Sequence, residues 1–518
     1  MPVGNVELEP GAPAPGAMPI EQKMARGAVW MVVARLTDRV LGFASTLILA
    51  RLLVPADFGL VAMATSVIAV VEVIGLFGFD MALIQNRQAT RRHYDTAWTF
   101  NVIVGALVAA ILVALAQPAA GFYAEPRVAE VLVILAAGVF ITGFENIGVI
   151  AFRKELRFGQ EFLFLTAKRV VVFGVTVPLA FILKSYWALV AGMVLGRLVA
   201  VTISYLVHPY RPRFSLAERT ELFHFSKWMM VSAVLNLVST RASDFIVGRA
   251  AGPSALGLFT VASELGNLPT SDLVAPINRA IYPGYAAIAA DLQALKRRFL
   301  DVLGLIATLA LPAGTGIAAT AALIVPIALG PNWLDAIPIL SAISFYGVLL
   351  ALKSNAHYIY LALGRPRVSA FLGLLQSVIL LPLIAIGTAR AGAYGAALGC
   401  LIGQALFTPM SLAVMARNVE RLRMTELLGV FVRPAIAAAV MFGVARLLAE
   451  ELNPGGLSAS GLIGPLCICV GAGALVYAGV LYILWVMAGR PIGPETHLRD
   501  WIFQHLSVLR MRAAKTSG

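Results

Sequence analysis

The chain has 518 residues, 59% hydrophobic and only 13% charged, with a mean hydropathy of +0.85. A soluble domain carries roughly 25% charged residues and a bilayer-crossing helix needs about 20 mostly apolar ones, so near-continuous apolar runs exclude a soluble enzyme and indicate an all-α polytopic membrane protein. The net charge of +13 comes with no aromatic-rich basic module and no zinc spacing, so the expected anionic partner is the lipid bilayer, with no nucleic acid.

Residues 1–24 open as a Pro/Gly/Ala-rich stretch and read as a disordered tail. The first apolar run is long and contains Arg35, Asp38 and Arg39, unlike the short apolar region of a signal peptide. Fourteen transmembrane helices are predicted. The first seven run near 28–50, 58–84, 95–116, 127–150, 161–183, 186–207 and 227–250. The second seven run near 256–282, 299–325, 335–362, 368–388, 392–415, 427–449 and 461–488.

Two six-helix lobes are expected, over 25–207 and 227–416, joined by a basic linker at 208–226. Leu222, Phe223 and Phe225 in that linker suit a helix on the membrane surface. Helices 13 and 14 occupy 417–489, and 490–518 form a tail. In that tail Leu498, Trp501, Ile502, His505, Leu506 and Leu509 make one helical stripe, which predicts a basic amphipathic helix on the inner leaflet.

Charge placement fixes the expected orientation. With both termini in the cytoplasm, the inner segments hold 25 Lys and Arg residues against 6 outside, a bias that orients the whole bundle.

The chain also repeats itself. ARLLVPADFGL (50–60) is answered by GRAAGPSALGL (248–258) at a constant offset of 198 residues: Arg51 with Arg249, Pro55 with Pro253, Gly59 with Gly257, Leu60 with Leu258. The same offset pairs Trp30 with Trp228 and Met31 with Met229 without a gap. It crosses six spans, an even number, so the two copies share one orientation, as parallel repeats about an axis along the membrane normal do.

Charges inside spans cost about 2.5–3.5 kcal/mol each at the centre and usually face a polar cavity or each other. They concentrate in helices 1, 2, 7, 8 and 10. Helix 1 carries Arg35 and Asp38, its repeat partner Arg241 and Asp244; helices 2 and 8 carry Glu72 and Glu264. Helix 10 carries Lys353 and His357, one turn apart on one face. Arg35, Arg241 and Lys353 are therefore candidates for a shared mid-membrane cavity. Asp38, Asp244, Glu72, Glu264 and His357 are candidates for ion coupling or charge pairing. Lys168 and Arg169 read as anchors at the inner edge, and Asp80 and Arg279 as groups reaching the interface.

No enzyme site is legible: there is no Gly-rich phosphate loop, no H-E-x-x-H and no large outer loop. Cys400, Cys467 and Cys469 sit in apolar runs and form neither a disulfide framework nor a four-ligand metal site. No cofactor and no metal are expected.

Fourteen helices in two repeated six-helix lobes plus two resemble the MOP superfamily of transporters. The opening from Trp30 through R-L-L-x-P-x-D-F-G-L is similar to its polysaccharide-transporter branch, which includes Wzx-type flippases and colanic-acid-type exporters. Pro331–Trp333 and the G-R-P-R turn at 364–367 resemble that branch as well. The resemblance implies an inner-membrane flippase, not an enzyme. Its cargo would be a polyprenyl-diphosphate-linked oligosaccharide, moved through a cationic central cavity by alternating access of the lobes. It also implies a polysaccharide polymerase and glycosyltransferases of the same pathway as partners. A MATE-like drug exporter, a peptidoglycan-precursor flippase and a polysaccharide polymerase or ligase are the alternatives. A diphosphate calls for Arg and Lys, with Arg favoured for its bidentate fork.

Overall fold

The computed structural model describes residues 20–73, 83–84, 88–155, 157–418, 422–453, 458–490 and 496. The tail helix expected over 495–515 and Asp80 lie outside them. Among the described residues the chain is helix and connecting turns with no strand, and helix is found in each of the fourteen expected spans, 74–82 of the second lying outside the described residues.

The first lobe comprises α1 (Ile20–Leu52), α2 (Pro55–Glu72), α3 (Arg91–Tyr123), α4 (Arg127–Thr142), α5 (Phe158–Leu183) and α6 (Trp187–Val207). The run Arg219–Gly266 is interrupted only at Gly252, which separates α7 (219–251) from α8 (253–266). Next come α9 (Leu292–Ala328) and α10 (Ala336–Ala362). Pro366–Asn418 folds back at Ala391 and Gly392 into α11 (366–390) and α12 (393–418). Met424–Glu451 (α13) and Ile463–Met487 (α14) complete the chain. Ten of the described helical runs are long and apolar enough to cross a membrane, by length and composition.

Three segments differ from the sequence expectation. The fourth span is bent by 63° between Arg127–Thr142 and Ile147–Lys154, and the Asn146 side chain caps the bend by accepting from Gly148 N–H at 2.9 Å. The eighth span is broken: α8 stops at Gly266, a π-helical turn follows over Pro269–Val274, and helix resumes at Ala275–Ala287. Helix α7 begins at Arg219, so only 208–218 of the linker is non-helical.

That stretch is strapped to the first lobe. Asp95 accepts from Arg213 N–H at 2.9 Å and Thr99 Oγ1 from Ser215 N–H at 2.9 Å, while Asn146 Nδ2 donates to Tyr210 O at 2.8 Å. The side chains of Leu222, Phe223 and Phe225 lie outside the described residues.

The repeated turn joins the first two helices of each lobe, α1 to α2 and α7 to α8. Pro55 and Pro253 lack an N–H, which suits the first turn of a helix. The linking residue differs between copies: Val54 is extended at φ −97°, whereas its equivalent Gly252 has φ 80°, a conformation that favours glycine. We call the end of the bundle bearing these turns the turn face, and the opposite end the linker face.

The two lobes share one buried core in the turn half. Leu60, Met63, Ala64 and Val67 of α2 pack in a single cluster with Leu256, Val261 and Ala262 of α8 and with α3, α4, α9 and α10. Towards the linker face the cores are separate. One, around Phe299, Leu303, Tyr360 and Met415, belongs to the second lobe, and another, around Leu83, Trp98 and Ile150, to the first. Joining at one end and separate cores at the other leave room for a cavity in the linker half.

Candidate functional site

The turn face is closed by three contacts between the lobes. On the pseudo-two-fold axis α2 and α8 meet backbone to backbone: a Cβ on Gly59 would lie 1.7 Å from Pro253 O, and one on Gly257 would lie 1.8 Å from Pro55 O. Beside it Trp333 Nε1 donates to Ala50 O at 2.7 Å, and Arg51 reaches Ile327 O. On the other side Tyr123 of α3 stacks on Phe245 of α7, with centroids 6.1 Å apart, over Gly248. Gly248 is the repeat equivalent of Ala50, so the flanking contacts are related by the same pseudo-symmetry.

Below this seal a cavity of about 610 Å³ opens between α1, α5 and the continuation of α8. Arg35 and Asp38 of α1, Lys168 and Arg169 of α5, and Arg279 of the second lobe line it, against a wall that includes Met31, Ala34 and Val172. Four cations face one carboxylate. At 1.5 Å per residue, Arg35 stands about 26 Å from the turn-face end of α1 and Arg169 about 21 Å from that of α5, so the charge collects below mid-bilayer. Arg169 Nε bonds Asp38 Oδ1 at 3.1 Å. Asp38 is thus partnered across the helix pair rather than by Arg35.

The seam between the lobes beside the cavity is itself charged. Arg39 of α1 pairs with Asp272, in the π-helical turn of the second lobe, at 2.9 Å. Glu264 of α8 stands beside Thr46 of α1 and within reach of the charges of Arg39 and Arg169. The other seam, between α2 and α7, carries the matching device: Ser66 Oγ donates to Asp244 Oδ2 at 3.2 Å, and Arg241 Nη1 to the same oxygen at 3.3 Å. Thr46 and Asp244 are 198 residues apart, as are Ser66 and Glu264. Each seam therefore sets one hydroxyl of the first lobe against one carboxylate of the second, at equivalent positions.

Of the three cations expected to share a cavity, only Arg35 lines this one. Arg241 lies on the opposite seam. Lys353 is inside the second lobe, donating to Gln376 of α11 and standing 4.9 Å from the Phe407 ring of α12; Gln376 passes the network to Gln404 at 2.9 Å. Its neighbour His357 bonds Ser369. Glu72 pairs with Arg197 of α6 at 3.3 Å, within the first lobe.

Lys168, Arg169 and Arg279, expected at the membrane interface, line the cavity instead. Their distance from a helix end was legible, but not the face on which they project once α5 packs on α1. Arg197 carried the same signal as the other intramembrane charges and was missed. Among the described residues no cluster of His, Cys, Asp and Glu forms a metal site.

Comparison with known proteins agrees with this architecture. The chain is 25% identical over 410 residues to the lipopolysaccharide biosynthesis protein WzxC of Escherichia coli, covering 78% of this chain and 82% of that one. It is 25% identical to the succinoglycan biosynthesis transport protein ExoT of Rhizobium meliloti, with 83% and 87% covered. Among solved structures, the inward closed conformation of the lipid II flippase MurJ superposes with a TM-score of 0.70 at 13% identity, covering 89% of this chain and all of that one. An inward-facing MATE multidrug transporter superposes at 0.57 and 15% identity, covering 76% and 98%; both likenesses concern the fold. Residues 48–338, more than half of the chain, match the family described as polysaccharide biosynthesis protein, and the chain belongs to that family.

Proposed function

We propose that this protein is a flippase for a polyprenyl-diphosphate-linked oligosaccharide, serving exopolysaccharide or lipopolysaccharide synthesis at the bacterial inner membrane. The observation that carries this reading is the cationic cavity, four basic side chains to one carboxylate, beneath a sealed turn face. A diphosphate leaving water without partners would lose several kcal/mol of solvation. Guanidinium and ammonium groups offset that loss through charge-assisted bonds. Arg35, Lys168, Arg169 and Arg279 are the groups that would hold it, and the names of the similar transport proteins support the class of cargo.

In this reading the linker face is cytoplasmic, both termini lie inside, and the sealed turn face looks out, in accord with the 25-to-6 bias of basic residues. The headgroup enters from the linker side, the turn-face seal opens, and the lobes exchange which end is closed. Asp38 and Glu264 compete with the diphosphate for Arg169, so loading the cavity weakens an attraction that crosses the seam. A polymerase and glycosyltransferases are the expected neighbours in the pathway.

Purified protein reconstituted in vesicles with a fluorescent lipid-linked oligosaccharide tests the proposal. The expected result is protein-dependent transfer of the label to the leaflet where an added quencher or glycosidase reaches it. Absence of transfer, with binding also absent, overturns the assignment.

A further inference from the structure

We propose that Gly42 is a positioning residue: a notch in α1 that seats the Arg169 guanidinium against Asp38, at the edge of the cavity between the lobes. This rests on the reading of the cavity as the diphosphate site. Asp38, Gly42 and Thr46 follow one another at i, i+4 and i+8, so they form one stripe on α1. Each rung has a partner. Asp38 holds Arg169 Nε at 3.1 Å, and Thr46 stands beside Glu264 of α8. The middle rung is empty of side chain, and the guanidinium fills it: a Cβ at Gly42 would stand 2.4 Å from Arg169 Nη2 and 3.5 Å from its Cζ.

Arg169 therefore lies along one turn of α1, with its base on Asp38 and its tip in the gap below Thr46. From there its charge reaches Glu264 across the seam. A methyl group at 42 meets only the far end of a flexible side chain, so the fold can yield by letting Arg169 swing away. What moves is the charge. The substitution should therefore leave insertion intact and act on ligand binding.

The test measures binding of a sugar-free polyprenyl diphosphate to purified full-length protein in detergent. The variants are Gly42→Ala, Arg169→Ala, the double variant, and Gly42→Ala with Arg169→Lys. Gly174→Ala, on α5 with nothing within 4 Å, is the control. Losing a hydrogen bond to a charged group corresponds to roughly a tenfold weaker Kd or more. Gly42→Ala is expected to show most of the loss of Arg169→Ala, and the double variant no further loss. The slimmer ammonium of the lysine should restore part of the affinity lost in Gly42→Ala. Wild-type affinity in Gly42→Ala, or additive losses in the double variant, overturns the proposal. If neither wild type nor any variant binds the diphosphate, the functional reading fails instead, and Gly42 falls with it. If Arg169→Ala weakens binding while Gly42→Ala does not, only the notch is wrong.

Discussion

Gly59 and Pro253 touch where the two lobes meet: a Cβ on the glycine would lie 1.7 Å from the proline carbonyl oxygen, and the reciprocal contact of Gly257 on Pro55 is 1.8 Å. The lobes can approach this closely only because neither position has a side chain. Valine at either site adds overpacking strain of about 1–3 kcal/mol, and that strain is relieved when the turn face opens. Gly59→Val and Gly257→Val are therefore expected to produce the same phenotype, normal insertion with export lost. Met63 lies just beneath the seal and is fully buried. A cysteine there should resist an impermeant maleimide in intact cells and become reactive in either valine variant. Different phenotypes for the two glycines would refute the reciprocal seal. In the same assay, cysteines at Ala56 and Ser254 should label and one at Ala89 should not; labelling of Ala89 alone reverses the orientation.

The cavity cations should matter unequally. Arg35→Ala and Arg279→Ala each remove a charge facing the cavity, and losing one charge-assisted bond costs about 1.5–3 kcal/mol. Diphosphate binding should then weaken roughly ten- to hundredfold. Lysine should rescue only in part at these positions, since it keeps charge but loses the fork. Lys353→Met removes a cation held by Gln376 and Phe407 within the second lobe, so binding should change less than about threefold, well under the loss at Arg35. Titration of purified variants with a lipid diphosphate decides this; equal losses at Lys353 and Arg35 would put Lys353 back in the substrate path.

The two seams should behave as copies. Ser66 with Asp244 and Thr46 with Glu264 are hydroxyl–carboxylate pairs at equivalent positions. Double-mutant cycles on Ser66→Ala/Asp244→Asn and Thr46→Ala/Glu264→Gln, read as thermal stability in detergent, should give coupling energies of similar size, on the order of 1 kcal/mol. Coupling in one pair without the other would mean that only one seam is clasped.

The linker strap should loosen in acid. Tyr210 N–H donates to His208 Nδ1 at 3.1 Å, which needs an unprotonated ring nitrogen. Burial pushes the His208 pKa below its ordinary value near 6.5, with Arg157 and Arg211 acting the same way against Glu155. A base whose folded pKa is depressed stabilises the fold above its unfolded pKa and loses that contribution as pH falls through the folded one. Protection factors at 208–215, corrected for the intrinsic slowing of amide exchange in acid, should therefore be high at pH 7 and drop below about pH 6, and His208→Gln should remove that drop. Unchanged protection down to pH 5 would show that the histidine does not hold the strap.

The number of spans, the repeat and the general class were legible in the chain because each is a local or periodic property. About 20 apolar residues make a span wherever they sit, and the 198-residue offset survives in Pro55, Gly59 and their partners because the turn face tolerates nothing larger there. The charged residues were legible as intramembrane charges, but not in their groupings. Arg35 and Arg241 occupy helices equivalent by sequence and lie on different seams, because a two-fold axis places equivalent helices on opposite sides of the molecule. Lys353 and Arg169 lie on single helices with no local sign of which neighbour they face; packing turned one into the second lobe and the other into the cavity. The break after α8 has a local cause in Pro269, but its bringing Asp272 to Arg39 depends on where the second lobe sits against α1. Sequence alone determined how many helices there are and which carry charge. Only the packing of α1, α5 and α8 decided which of those charges stand together, because a side chain's partners depend on helix rotation and lobe placement, and neither is a property of the segment itself.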